Sequence, residues 1–134
     1  MPLELEIVSP ERLLLSKPVD MVVIPAAEGD MGVLPQHAPM LVALRGGVIA
    51  ITEGTGVTDR LFIAGGFAEI TPDRCTVLAN EAVPVAELTA AAAQARLAEA
   101  TAAYEGTDKM DMTALETAMD RLQSARAMLE AAGS

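Results

Sequence analysis

Proline is confined to the first two-thirds of this chain, which limits what each part can fold into. All eight prolines lie between Pro2 and Pro84, and eight of the ten glycines precede residue 67. Because proline and glycine interrupt regular elements and form tight turns, the first part must consist of short segments. From Val85 onward alanine, leucine, glutamate and methionine predominate, and these residues favour helix. We therefore place a boundary near residues 84–86.

The first part has the pattern of short β-strands. Apolar residues recur at every second position from Leu3 to Ile7, which is the period of a half-buried strand. Further strands are predicted over residues 19–25, 40–45, 47–53, 60–64, 67–71 and 75–79. Turn residues separate them at 28–30, 46–47, 54–56, 65–66 and 71–73. Many short strands at regular spacing favour a β-sandwich or barrel, and no helix-length period supports a parallel α/β sheet.

The second part has the pattern of two antiparallel helices. Residues 87–103 are rich in alanine, and residues 106–108 interrupt them. A second helix is predicted to begin near Asp111 or Thr113, either of which can cap it. One apolar stripe on this helix is formed by Leu115, Met119, Leu122 and Leu129. Because alanine buries little apolar area, this hairpin is predicted to be weakly held by the β-domain and able to detach.

Charge and aromatic content exclude several classes of function. The chain has 19 acidic and 9 basic residues, a net charge of −10, and only 2% aromatic residues. Such a surface repels a phosphate backbone and offers no platform for base stacking, so we expect no nucleic-acid partner. No apolar run is long enough to cross a membrane, and residues 1–15 carry acids where a targeting peptide needs bases. We therefore expect a soluble protein without a transit peptide or membrane insertion.

No residue pattern indicates a catalytic centre. His37 and Cys75 are the only residues of their types; they could act as base and nucleophile, but a loop histidine and a small strand residue are the commoner interpretation. Glu28 and Asp30 flank Gly29, yet two carboxylates fall short of a calcium loop. No catalytic residue, cofactor or metal is therefore predicted. The residues by themselves indicate an acidic β-domain with a helical hairpin, an interaction module rather than an enzyme.

One long segment resembles the signature of a known family. Residues 28–41, EGDMGVLPQHAPML, resemble the E-G-D/E-L/M-G-V/I-L/Y-P-G-H-A-P-L-L segment of the epsilon subunit of bacterial F-type ATP synthases. Two later segments, AGGFAEI at 64–70 and CTVLA at 75–79, resemble that family's S-G-G-F-L-E-V and V-T-V-L-A segments. The resemblance implies an N-terminal β-sandwich of two five-stranded sheets over residues 1–86. It also implies a C-terminal antiparallel α-helical hairpin, with regulatory potential, over residues 87–134.

The resemblance also implies a function and partners. The family's epsilon subunit is a non-catalytic rotor subunit at the foot of the central stalk, bound to the gamma subunit and the c-ring, beneath the alpha and beta subunits. It couples c-ring rotation to ATP synthesis, and its hairpin can inhibit ATP hydrolysis. The implied location is the cytoplasmic side of the cell inner membrane, as a peripheral protein. The residues predicted to bind partners are Ser9, Glu28, Asp30, Met31 and His37, with Asp30 as the main polar contact to the c-ring. Arg121 and Arg126 are candidates for a weak nucleotide or beta-subunit contact.

Some positions depart from the family. Gln36 stands where the family has glycine. Within the same segment, positive φ is expected at Gly29, Gly32 or both, because the chain makes a tight turn there. Thr89 and Ala92 stand where ATP-binding members have an aspartate and an arginine, so ATP binding is predicted to be weak or absent. Eight acids against four bases from residue 87 onward predict weak inhibition. Two alternatives remain open: a free-standing β-sandwich interaction module, and an unrecognised enzyme that uses the lone histidine and cysteine.

Overall fold

A computed structural model describes residues 2–133 and divides them into a strand-rich part and a helical part. The strands are β1 (Leu3–Val8), β2 (Leu13–Val19), β3 (Met21–Ala26), β4 (Gly29–Val33), β5 (Met40–Glu53), β6 (Gly56–Ile70), β7 (Arg74–Ala79) and β8 (Ala82–Pro84). A single 3₁₀ turn, Val85–Glu87, leads to the helices α1 (Ala90–Glu105) and α2 (Met112–Ala132).

The strands form one hydrogen-bonded sheet that folds over into a sandwich. Its order is β2-β1-β7-β6-β5-β3-β4, and β8 pairs with β6. β5 and β6 have 14 and 15 residues, so each runs through both layers. The first layer contains β2, β1, β7, the end of β6 and the start of β5; the second contains β4, β3, the remaining halves of β5 and β6, and β8. The β-sandwich is confirmed, with each layer five strands wide, although eight strands rather than ten build it.

The two long strands bend where the sequence suggests turns. In β5 the buried positions change parity between Leu44 and Ile49, where the strand passes from one layer to the other. In β6 Gly66 has φ +138°, and a Cβ there would lie 2.0 Å from a carbonyl oxygen of β7. The turns predicted at 46–47 and 65–66 are therefore wrong. These glycine pairs are bends inside continuous strands.

The core lies between the two layers and consists of aliphatic side chains from both. The largest fully buried ones are Leu3, Leu5, Ile7, Ile24, Ile49, Ile51, Ile63 and Ile70. Burying each such side chain is worth about 1.5–3 kcal/mol. This cluster contains no residue of α1 or α2, so the sandwich has its own core.

Two edge strands have no clear signal in the sequence. β2 contains Lys17 and Pro18, and β4 contains Gly29 and Gly32, residue types that are depleted in strands. An edge strand needs hydrogen bonds on one side only, so it tolerates them. The sequence prediction missed both strands for this reason.

Both helices begin at side-chain caps. The Thr89 hydroxyl accepts a hydrogen bond from the Ala92 N–H at 3.2 Å, so α1 begins later than the predicted residue 87. The Asp111 carboxylate accepts one from the Ala114 N–H at 3.1 Å, which selects Asp111 over Thr113 as the cap of α2.

The predicted apolar stripe of α2 is wrong in part. Met119 is 52% exposed, while the three leucines of the stripe are half-buried. The buried positions are mostly small: Ala118, Ser124, Ala125, Met128 and Ala131. Small residues let a helix approach its neighbours closely, and α2 packs against both α1 and the second layer of the sandwich.

Candidate functional site

A row of apolar side chains crosses the outer face of the first layer. The strand register pairs Ala43 with Phe67, Phe67 with Leu78, Leu78 with Val8, and Val8 with Leu13. Leu13, Phe67 and Leu78 are 56%, 53% and 54% exposed. Five strands about 4.8 Å apart give this row a length of roughly 19 Å. We call these five residues the apolar row.

Acidic side chains border the apolar row. The neighbouring row across the same face joins Leu41 to Glu69, Glu69 to Thr76, and Thr76 to Glu6. Leu41 is 71% exposed. Arg74 forms an ion pair with Glu6 at 2.9 Å. A contiguous exposed apolar patch with a polar rim is typical of a protein–protein interface, and the acidic rim favours a basic partner.

The turn between β3 and β4 adjoins one end of the apolar row. The predicted loop over residues 28–32 is shorter in the structure, because Gly29 already begins β4 and the turn consists of Ala27 and Glu28. Gly29 has φ +147°, which confirms positive φ at one of the two expected glycines. The Ala27 N–H donates to the Ala43 carbonyl oxygen at 2.9 Å and so fastens the turn to the row.

Asp30 is held by an arginine of β5. Its Oδ1 accepts a hydrogen bond from Arg45 Nη2 at 2.8 Å, and Arg45 Nε donates to the Ala26 carbonyl oxygen at 3.0 Å. The Asp30 side chain is 65% exposed, so this pair is worth at most about 1 kcal/mol and a charged partner can replace it. Met31 is half-buried against the sandwich core rather than fully presented to solvent. Glu28 is exposed, with no salt-bridge partner among residues 2–133.

Ser9 lies in the turn between β1 and β2, near the end of the apolar row that is formed by Val8 and Leu13. It follows Val8 directly, and its hydroxyl donates to the Arg12 carbonyl oxygen at 3.4 Å. Three strand spacings, roughly 14 Å, separate Val8 from Ala43 and the turn beside it. Ser9 and Glu28 therefore share one end of the sandwich without contact between them.

His37 lies at the opposite end of the sandwich. The adjacent Gln36 N–H donates to the Pro72 carbonyl oxygen, in the loop beyond the far end of β6. The five residues predicted to bind partners thus divide into Ser9, Glu28, Asp30 and Met31 toward one end of the sandwich, and a distant His37.

Cys75 and His37 do not form a catalytic pair. Cys75 is fully buried in the sandwich core, and this burial raises the pKa of its thiol to about 11. A nucleophilic cysteine needs a lowered pKa and access to substrate. The His37 ring Nδ1 lies 2.8 Å from the Ala38 carbonyl oxygen of its own loop. Residues 2–133 also contain no cluster of three or more potential metal ligands.

The hairpin is attached to the sandwich through a side-chain amide. Gln123 Nε2 donates to the Gly46 carbonyl oxygen at 2.7 Å, and Gln123 Oε1 accepts from the Gly46 N–H at 3.0 Å. A Cβ on Gly46 would lie 2.6 Å from Ser124 Cα, so only glycine admits α2 at this distance. We call this contact the amide clamp. A small apolar cluster of Phe62, Ala93 and Met128 lies beside it.

A polar cavity separates the remaining parts of hairpin and sandwich. It has a volume of about 600 Å³, and Arg96, Glu99, Asp120 and Arg121 contribute to its wall. Arg96 donates two hydrogen bonds to Glu81, at 2.6 and 2.8 Å. Arg126 is exposed on α2 and does not line the cavity, so the two candidate arginines of α2 do not converge there.

None of the helices within residues 2–133 is long and apolar enough to cross a membrane.

Comparisons with known proteins agree on one family. Residues 2–85 match the pattern described as "ATP synthase, Delta/Epsilon chain, beta-sandwich domain". The ATP synthase epsilon chain of Granulibacter bethesdensis is 66% identical over 128 residues, which cover 96% of this chain and 95% of that one. The epsilon chain of Gluconacetobacter diazotrophicus is 52% identical over 133 residues, with coverage of 99% and 94%.

Solved structures show the same fold. A chain of the Euglena gracilis mitochondrial ATP synthase OSCP/F1/c-ring assembly is similar with a TM-score of 0.79 and 27% identity, and the match covers 99% of this chain and 82% of that one. A chain of the central stalk/c-ring of the Tetrahymena thermophila mitochondrial ATP synthase has a TM-score of 0.68 at 14% identity, covering 98% and 97%. The second likeness concerns the fold alone.

Proposed function

This chain belongs to the epsilon-chain family of ATP synthases, and from that membership we propose how it joins the gamma subunit to the c-ring. It is a non-catalytic subunit of the rotor stalk, with gamma, the c-ring, alpha and beta as its partners. Its role is mechanical: it couples rotation of the c-ring to ATP synthesis elsewhere in the complex. The complex is membrane-associated, and we assign this subunit to the cytoplasmic side of the cell inner membrane.

The uncovered apolar row carries the proposal. The sandwich already has its own core, and a row of roughly 19 Å on its outer face stays about half exposed. We infer that a partner subunit buries this row, and we assign the row to gamma. Phe67, the aromatic residue of the row, is the expected anchor because aromatic residues contribute most of the energy of such contacts.

The end of the sandwich that carries Ser9, Glu28 and Asp30 is assigned to the c-ring. Glu28 at the tip and Asp30 beside it offer carboxylates to basic residues of the ring, and Met31 contributes only a partly exposed apolar surface. His37, at the opposite end, is assigned to a different subunit.

Cysteine crosslinking in the assembled enzyme tests the orientation. Cys75 is buried and unreactive, so it contributes no background. A cysteine at position 30 should crosslink to the loops of the c-ring, and one at position 37 should not. Crosslinks from position 30 to alpha or beta instead would overturn the assignment.

A binding measurement with purified gamma tests the apolar row. Phe67→Asp should weaken the full chain's affinity for gamma at least ~10-fold, the effect of losing one anchor worth about 1.4 kcal/mol. Val57→Asp is the matched control. Val57 is 54% exposed, but it lies at the opposite end of β6, next to the turn that joins β5 to β6. Equal effects of the two substitutions would contradict the proposal.

We also propose that the hairpin binds ATP weakly or not at all. Thr89 is occupied as the cap of α1, Ala92 has no guanidinium, and Arg96 is engaged by Glu81. Arg121 is the residue of α2 that remains at the cavity for a nucleotide. Micromolar affinity in a calorimetric titration would contradict this proposal.

A further inference from the structure

One edge of the sandwich lacks the protection that the other edges have. Exposed strand edges are normally blunted by charge, proline or short length, because their free backbone groups recruit other strands. The edge strand β2 carries Lys17 and Pro18, β4 carries Asp30, and β8 has only three residues. The start of β5, Met-Leu-Val-Ala over residues 40–43, carries neither charge nor proline.

The backbone of residues 40–42 has no neighbouring strand on one side among residues 2–133. β5 pairs with β6 from residue 40 onward, but its pairing with β3 ends at Leu44. The Ala43 carbonyl oxygen points toward β3, where it accepts the Ala27 N–H. Backbone groups alternate in direction along a strand, so the N–H and C=O of Leu41 point to the same open side. A partner strand there would find a donor and an acceptor in ladder geometry.

A groove runs along this open edge. It has a volume of about 490 Å³ between the start of β5 and residues 26–31. Met31, Met40 and Leu41 line it, and Met40 and Leu41 are 43% and 71% exposed. Glu28 lies at one side of the groove, and Glu69 is the cross-strand neighbour of Leu41. The groove thus offers apolar walls and acidic rims beside a free strand edge.

We propose that an extended segment of the gamma subunit adds to β5 at residues 40–43 as a further strand of the first layer. Such a segment would place apolar side chains in the groove and at least one basic side chain against Glu28 or Glu69. The groove and the apolar row share Ala43, so one partner can cover both surfaces. This inference rests on the proposed function, because it takes gamma as the occupant of the row.

A second copy of this chain is a poorer occupant. Each copy carries a net charge of −10, and two identical edges would bring their acidic rims together. Like charges across an interface oppose association.

Hydrogen exchange of single amides tests the added strand. In the free full-length chain the Leu41 amide should exchange quickly, while the Val42 amide, which points toward β6, exchanges slowly. In the complex with purified gamma the Leu41 amide should slow at least ~10-fold. An unchanged Leu41 rate in a formed complex would overturn the added strand. Protection of Leu41 in the free chain, with the mass of a dimer, would assign the edge to a second copy and also overturn the proposal.

A pair of substitutions separates backbone from side chain. Leu41→Pro removes the outward N–H as well as the side chain, whereas Leu41→Ala removes only the side chain. Proline is tolerated at an edge position whose N–H faces outward, so both variants should keep the melting temperature of the sandwich. Leu41→Pro should weaken gamma binding at least ~10-fold more than Leu41→Ala.

Each failure has a distinct signature. Equal weakening by the two Leu41 substitutions would overturn the added strand and leave the proposed function intact. If the unsubstituted chain does not bind gamma at all, the proposed function is overturned instead. If Leu41→Pro fails to fold, the exchange rate of the Leu41 amide in the unsubstituted chain, with and without gamma, decides whether the added strand forms.

Discussion

Gln36 holds a backbone conformation that favours glycine. Its φ is +69°, and it is the one residue other than glycine with positive φ among residues 2–133. The position coincides with a glycine of the family signature. A left-handed conformation costs an ordinary residue about 1–2 kcal/mol. The folded chain therefore holds Gln36 in a conformation that costs stability.

Gln36→Gly should stabilise the chain. It removes the conformational cost, offset in part by about 0.4–1 kcal/mol of added entropy in the unfolded chain. We expect a net gain of about 0.5–1 kcal/mol in the free energy of unfolding, measured by urea titration. Gln36→Val is the control and should lose about 1 kcal/mol, because a β-branched residue is strained at positive φ. A destabilising glycine would show that the glutamine side chain itself holds the loop.

Cys75 makes stability depend on pH in the alkaline range. Its pKa is raised from 9.0 to about 11 in the folded chain, because burial disfavours the thiolate. The unfolded chain therefore loses the proton first as pH rises. The resulting stabilisation is fully present below pH ~9 and is lost between ~9 and ~11.

The stability loss over this range should amount to about 3 kcal/mol. Lys17, whose pKa is raised by hydrogen bonds to Asp59 and Glu53, contributes in the same direction. Cys75→Ala therefore serves as the control: the difference in pH slope between the two proteins, from urea titrations at several pH values, isolates the thiol. Identical slopes would refute the assignment to Cys75.

At the scale of elements, α2 is positioned by polar groups and small residues. The amide clamp replaces hydrogen bonds that water would otherwise make to Gly46. Gly46 and Ser124 then bring strand and helix into backbone contact. The larger apolar side chains at this contact are few, Phe62 and Met128 with Leu88 and Leu129 packed against them, and the weak attachment of the hairpin stays a prediction.

Gln123→Ala should loosen α2 without unfolding the sandwich. Loss of two part-buried hydrogen bonds, with Gly46 left unsatisfied, costs about 1–3 kcal/mol. Amides of α2 should exchange at least ~10-fold faster while those of β1 are unchanged. Ser124→Ala is the control, because the Ser124 hydroxyl is buried with no hydrogen-bond partner within residues 2–133. Equal exchange in the two variants would show that the amide clamp contributes nothing.

At the scale of the molecule, the sandwich core contains no residue beyond the boundary predicted near residue 85, and a second, smaller apolar cluster joins the two parts. The sandwich core draws on β1 to β8, while the cluster around Phe62 joins α1 and α2 to the outer face of the second layer. Besides the amide clamp and the pair between Arg96 and Glu81, α2 packs against β5 and β6 of the second layer, but it adds no residue to the sandwich core. We therefore propose that residues 1–86 and 87–134 are separate folding units.

A chain ending at residue 86 should melt cooperatively and still bind gamma. Its core is intact, and the apolar row lies on the layer that the hairpin does not cover. Truncation exposes Phe62, so Phe62→Thr is added to preserve solubility. The check is a thermal melt by circular dichroism together with the gamma-binding measurement. A broad, non-cooperative melt would show that the hairpin is part of one folding unit.

Removal of the hairpin should change ATP hydrolysis by the whole enzyme little. Residues 87–134 carry eight acids and four bases, and Arg96 is already paired within the chain. The resemblance implies that an inhibitory hairpin docks toward an acidic segment of the beta subunit, and the net negative charge of this hairpin opposes such docking. The ATPase rate is compared between enzyme with the full subunit and enzyme with the chain ending at residue 86. A several-fold rise on truncation, reversed by the intact subunit, would contradict this prediction.

The sequence alone determined the class of each part, strands up to residue 84 and helical elements after it. Proline and glycine spacing limits residues up to 84 to short strands, and alanine-rich composition permits only helix afterwards, because these are local conformational preferences. The same local logic offers both Asp111 and Thr113 as caps of α2, and the structure selects Asp111. The family signature at 28–41 identified the partners, although no local pattern explains them.

Only the tertiary structure decided how the surfaces are composed. The apolar row joins residues from five strands, and each of them looks like an ordinary alternating position within its own strand. The amide clamp joins residues 77 positions apart. Ser9 and His37, assigned together from sequence, lie at opposite ends of the sandwich. Register and layer crossing set all these positions, and they depend on the packing of the whole sheet rather than on any local preference.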